Sequence, residues 1–165
     1  MNYLFDPTEL HKFSGLTQDG QRDWRRRGFM DGIGQVQPNG RWKYSAPDVV
    51  KLALARLFVS RRLVADLNDA IRFGSYVAQF VWFRLEPDNA RDKWQQKSKE
   101  VRFAAAFGAL REGDEMQFEV YHDLASVFTL NLGAAVVVSC EVLTEELRPH
   151  LAGAVAAHMA ARGAN

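Results

Sequence analysis

A mixed α+β architecture follows from three features of this 165-residue chain. Two short segments near the amino terminus carry helix caps and turn glycines. Pro38-Asn39-Gly40 separates two strand-like runs. From Met116 onward, alternating apolar runs give way to leucines at four-residue steps. These features predict short helices and a hairpin over residues 1–74. A small α+β unit follows over residues 75–165, with an antiparallel sheet and a terminal helix.

The first helix is predicted from Pro7 to Phe13. Asp6 can accept from the free amides at its start, Pro7 suits the first helical position, and Glu9 completes a capping box. Leu10 and Phe13, three apart, share a face. Gly15 can take the left-handed conformation that ends a helix, and Thr17 caps a second one running to Arg27. Two short helices across so tight a turn have the geometry of a helix-turn-helix, whose second helix enters the major groove of duplex DNA. On that helix Gln18, Gln21, Arg22 and Arg25 fall at three- and four-residue spacing and can line one face. Arginine offers a fork for guanine edges or phosphates, and glutamine can pair with adenine. Arg25-Arg26-Arg27 also suits a solvated helix end, where cations complement the dipole.

Gln35 to Gln37 and Arg41 to Tyr44 flank the turn and predict a small hairpin. Alternation sets Arg41 and Lys43 on one side and Trp42 and Tyr44 on the other, a cationic edge on an aromatic footing that suits a wing along phosphates. Ser45 caps the next helix, with Asp48 at the box position, and Val49 to Phe58 gives it a broad apolar side.

This order of helix, Gly-Leu-Thr turn, Arg-x-Trp helix, Gly28-Phe29-Met30, basic hairpin, Tyr44-Ser45, Asp48-Val49 and Leu52 resembles the DNA-binding domain of MerR-type transcriptional regulators over about residues 5–62. The resemblance implies a winged helix-turn-helix in which Arg22 contacts phosphate, Trp24 supports the recognition helix, and Tyr44 and Lys43 meet the backbone. Departures from the family pattern fall at Gly20, at Gln21 in place of leucine, at Arg25 in place of glutamate, and at a wing arginine one position early, Arg41. The wider MerR-like group includes excisionases and small phage packaging or segregation proteins.

Charge divides along the same line. Residues 1–62 hold 11 Lys+Arg against 6 Asp+Glu, and the remainder 10 against 14, so a net +1 conceals a basic amino-terminal part and an acidic remainder. A basic part can release counterions from DNA. With 47% hydrophobic and 25% charged residues the composition is that of a globular chain, not a disordered one. Polar residues follow Met1 to Phe5 at once and no run approaches 20 apolar residues, so a cytoplasmic protein without a membrane span is expected. The single Cys140 excludes an intrachain disulfide and a cysteine-pair metal site.

Further along, Leu63 to Ile71 predicts a short helix stopped by Gly74. The dense apolar run Tyr76 to Leu85 favours a strand, with a buried helix as the alternative. Glu86 to Glu100 reads as a connection and Val101 to Leu110 as a short helix. Met116 to Tyr121, Val127 to Leu132 and Ala135 to Cys140 read as three strands of an antiparallel meander, the last resembling a central strand. Leu143, Leu147, Leu151, Val155 and Met159 mark a closing helix that Pro149 either kinks or starts.

No catalytic or metal constellation emerges. His11, His122, His150 and His158 are scattered, and the pairs Asp66/Asp69 and Asp88/Asp92 are of the kind common on solvated faces. Glu119, Tyr121, His122 and Asp123 could line a small-molecule pocket. The sequence therefore predicts a non-enzymatic, cofactor-free, sequence-specific regulator that binds double-stranded DNA as a homodimer. Its carboxy-terminal part would serve oligomerisation or a small-molecule or protein effector. No sustained heptad follows residue 62, so a dimer surface would lie on Tyr76 to Leu85 or the final helix. The alternatives are a protein-interaction module and a phage-type DNA-architectural protein.

Overall fold

A computed structural model describes residues 3–86, 100–107, 116–128 and 135–163, apart from the Arg162 side chain. The chain runs α1 (Pro7–Ser14), α2 (Gln18–Arg26), β1 (Gln35–Val36), β2 (Trp42–Lys43), α3 (Ala46–Ser60), α4 (Leu67–Leu85), β3 (Phe103–Phe107), β4 (Gln117–Tyr121), α5 (Leu124–Phe128), β5 (Ala135–Ser139) and α6 (Cys140–Gly163).

Local chemistry sets the first three helices. Asp6 Oδ1 accepts from the amides of Thr8 at 2.8 Å and Glu9 at 2.9 Å, while the Asp6 amide donates to Glu9 Oε2 at 2.8 Å, a complete capping box on α1. Gly15 closes α1 at φ 72°, in the left-handed region, and Thr17 Oγ1 accepts from the Gly20 amide to start α2. A side chain at Gly20 would place its Cβ 3.0 Å from Leu16 Cδ1 and 3.2 Å from Thr17 Oγ1. The small residue thus lets the cap sit close. Ser45 and Asp48 form the box on α3.

β1 and β2 pair antiparallel, Gln35 with Lys43 and Val36 with Trp42. Beyond them the amides of Phe5 and Tyr44 donate to each other's carbonyls at 2.8 Å, fastening the amino terminus to the base of the hairpin.

The middle of the chain departs from the sequence expectation. One 19-residue helix, α4, covers both the predicted short helix and the predicted strand Tyr76 to Leu85. Its buried residues, including Ala70, Phe73, Val77, Phe80 and Val81, recur at helical spacing, and α4 packs against both α3 and α6. Burial on two sides explains the apolar density and overrides the β-propensity of valine and the aromatics. Gly74 stops nothing. It lies where α4 meets α3, and a Cβ there would stand 3.0 Å from the Lys51 carbonyl oxygen and the Ala55 amide nitrogen.

Three more assignments change. Phe103–Phe107, expected as part of a helix, is the central strand of a three-stranded antiparallel sheet ordered β4-β3-β5. Ala104, Ala105 and Ala106 are buried there. Within the expected strand Val127 to Leu132, the described Val127 and Phe128 belong instead to the one-turn helix α5, and 129–132 lie outside the described residues. Asp123 directs that turn by accepting the Ser126 amide and hydroxyl, each at 2.8 Å. β5 is an edge strand, and Cys140 opens α6.

Pro149 lies inside α6. That helix crosses the amino-terminal helices: a Cβ on Gly153 would come 2.9 Å from Phe13 Cε1, and Arg61 pairs with Glu146. A single hydrophobic core runs from Phe5 and Leu10 through Phe58, Phe73 and Val81 to Leu151 and Ala154.

Candidate nucleic-acid interface

The two elements expected to meet DNA, α2 and the hairpin, face each other across a cleft of 430 Å³. Arg22 and Arg26 rim it from the helix, Gln18 lines its side, and Trp42 and Tyr44 form the hairpin wall. Arg25 closes the join. Its guanidinium carbon lies 3.3 Å from the centroid of the Trp42 ring, and Nη2 donates to the Tyr44 hydroxyl at 3.1 Å and more weakly to the Ile33 carbonyl at 3.4 Å. A planar cation over an indole is the strongest common form of cation–π contact.

Besides Arg25, two more expected contact residues are turned inward. Gln21 is buried, not groove-facing: its Nε2 donates to the carbonyls of Pro7 at 2.9 Å and Leu16 at 3.0 Å. Those two acceptors fix the amide's orientation and leave Gln21 Oε1 buried without a hydrogen-bond partner. Gln21 thus ties α2 to α1 and to the turn between them. Tyr44 is only 1% exposed, so its hydroxyl supports Arg25 and does not reach a backbone outside the protein.

Arg22 and Arg26 point outward, with side chains 76% and 80% exposed. Among the described residues each pairs with a carboxylate on its own helix, Arg22 with Asp19 at 3.1 Å and Arg26 with Asp23 at 2.8 Å. The Arg26 hydrogen bond, with Arg27 nearby, holds the Asp23 carboxyl below its ordinary pKa. Exposed pairs of this kind are weak and readily exchange one anion for another. Thr17 is exposed but engaged as the cap of α2, and Gln18 Nε2 donates to Thr8 Oγ1 at 3.0 Å. Arg41 is exposed at the hairpin and Lys43 half-buried beside it. Trp24 packs against the core from the inner side of α2.

No protein-family model and no curated protein matches this chain.

Sequence reasoning missed the Arg25 strut, although its ingredients were visible. Strand alternation already placed Trp42 and Tyr44 on one face, and an arginine in the last turn of a helix beside two aromatics is a natural stacking partner. The Glu119 to Asp123 group, expected as a pocket lining, is spent locally. Tyr121 donates to Glu119 at 2.6 Å, His122 Nδ1 lies 3.1 Å from the Glu100 carbonyl oxygen, and Asp123 caps α5. Among the described residues no group of acids, histidines and cysteine could hold a metal. No described helix is long and apolar enough to cross a membrane.

Proposed function

We propose that this chain is a MerR-like, sequence-specific double-stranded DNA-binding regulator that works as a homodimer. The observation that carries this proposal is the cleft between α2 and the hairpin, rimmed by two outward arginines and braced by the Arg25–Trp42 stack. α2 enters the major groove with Thr17, Gln18, Arg22 and Arg26 on its outer side. The hairpin, with Arg41 and Lys43, follows the adjacent phosphates. Asp19 and Asp23 release their arginines to phosphate oxygens, which offer fork-shaped hydrogen bonding and more charge.

Selection of bound duplexes from random DNA, with the mass of the complex measured, tests this directly. A shared motif with two protein copies per duplex is expected. Arg22→Ala and Lys43→Ala should each weaken binding across all sequences and flatten the salt dependence by about one unit of slope. Absent or salt-independent binding would overturn the proposal.

One observation favours a second reading, a DNA-architectural protein with little sequence preference. With Gln21 and Arg25 turned inward, Gln18 and Arg22 are what remains of the predicted base-reading face. Salt-sensitive duplexes lacking any shared motif would favour it.

A further inference from the structure

A groove of 220 Å³ lies along the seam where α6 crosses α1 and α3, and it shares no lining residue with the α2–hairpin cleft. Phe13, Leu57 and Leu147 give it an apolar wall. Each of the three helices adds an exposed donor: Lys12 from α1, Arg56 from α3 and His150 from α6. The volume is below the range of about 300–1,000 Å³ usual for drug-sized ligands, which restricts the occupant to a small group.

We infer that this groove binds a phosphate group. Arg56 is the centre of the site. Its guanidinium lies against Gly15, so close that a Cβ there would come 2.5 Å from Nη1 and 3.0 Å from Cζ. Packing thus sets the fork at the end of α1, yet among the described residues no acid pairs with it and no hydrogen bond engages its donors. The partial negative charge of a helix end favours a cation in that place but leaves the five N–H groups of the fork available. Lys12 is also without an acid among the described residues, its Nζ lying 5.4 Å from the Phe13 centroid. Glu146, the one acid in the lining, is taken by Arg61.

Charge and shape select the anion. Lys12, Arg56 and Arg61 stand against Glu146, three cations to one acid, and the net of +2 matches a phosphate dianion better than a carboxylate. Donors on three helices call for acceptors pointing in several directions. A phosphate has them, whereas a carboxylate offers two oxygens in one plane. The apolar wall supplies no competing acceptor and screens the attraction less than water does. A free phosphate compound and a backbone phosphate of duplex DNA present this same group. Binding of free phosphate needs no DNA contact, so the inference stands apart from the role of the α2–hairpin cleft.

Inorganic phosphate titrated into the isotope-labelled full chain at constant ionic strength, followed by amide NMR, tests the site. Saturable shifts are expected at residues 12–16, 53–57 and 146–150, with a Kd of about 1–5 mM. Acetate should bind at least about fivefold more weakly. Arg56→Gln and Lys12→Gln should each weaken phosphate by about fivefold or more, whereas Arg148→Gln, which removes the same charge from α6 outside the groove lining, should not. A duplex titration separates the two sources. A salt slope lowered by about one in Arg56→Gln assigns the groove to a backbone phosphate, and an unchanged slope, or no duplex binding at all, assigns it to a free phosphate compound. No saturable shift up to about 20 mM, shifts centred elsewhere, equal binding of acetate, or an equal loss in Arg148→Gln overturns the inference whatever the duplex result.

Discussion

Truncating Arg25 to alanine should separate an internal strut from a DNA contact. The substitution removes the guanidinium from the Trp42 ring and leaves the buried Tyr44 hydroxyl without its donor. A partly desolvated cation–π contact contributes about 1–2 kcal/mol, and a hydrogen bond from a charged donor about 1.5–3 kcal/mol. The two share one guanidinium and are not additive, so a net loss of about 2–3 kcal/mol is expected. For a chain of this length that lowers Tm by roughly 4–10 °C. Urea unfolding monitored by circular dichroism measures it. Arg25→Lys should recover only part of the loss, because an ammonium keeps the charge but not the flat stack. On DNA, Arg25→Ala should weaken affinity while leaving the salt slope unchanged, whereas Arg22→Ala should flatten it. A stability change below about 0.5 kcal/mol would refute the strut. A flattened slope for Arg25→Ala would instead return that residue to the phosphates.

Gln21→Ala should cost about 2 kcal/mol in chemical denaturation, since it removes the two buried bonds that tie α2 to the Pro7 and Leu16 carbonyls, and should leave base preference in duplex selection unaltered. Gly74→Val should destabilise by about 2–3 kcal/mol, because its Cβ meets the backbone of α3 and not a side chain that can swing away; thermal melts report this. Burial pushes the Cys140 thiol up to about 11 from an ordinary 9.0. The thiol stays protonated when folded but ionises earlier when unfolded, so its contribution is intact below pH 9 and is lost as pH rises towards 11. Cys140→Ala should flatten the stability profile over that window, and iodoacetamide should label the native thiol far more slowly than the unfolded one.

What could be read from the sequence was governed by nearest-neighbour chemistry. Asp6, Thr17 and Ser45 fix helix starts through bonds two or three residues away, and Pro38-Asn39-Gly40 fixes a turn, so residues 5–60 were legible almost element by element. The failures arose where distant packing decides. Tyr76 to Leu85 has strand composition but is helical because α3 and α6 bury it from two sides. Phe103–Phe107 has alanines suited to a helix but becomes the middle strand because β4 and β5 flank it. At the interface, spacing placed Gln21 and Arg25 on the outer face of α2. Whether a side chain there points outward depends on what stands opposite, and the Pro7 carbonyl and Trp42 ring belong to other elements.

The crossing of α6 over α1 has a consequence for how the chain acquires its shape. Phe13 and Gly153 lie far apart in sequence, so the face of α1 that α6 covers gains that cover only once α6 has been synthesised. Contacts of such long separation slow the search for the native state and lengthen the life of partly folded forms with apolar surface exposed.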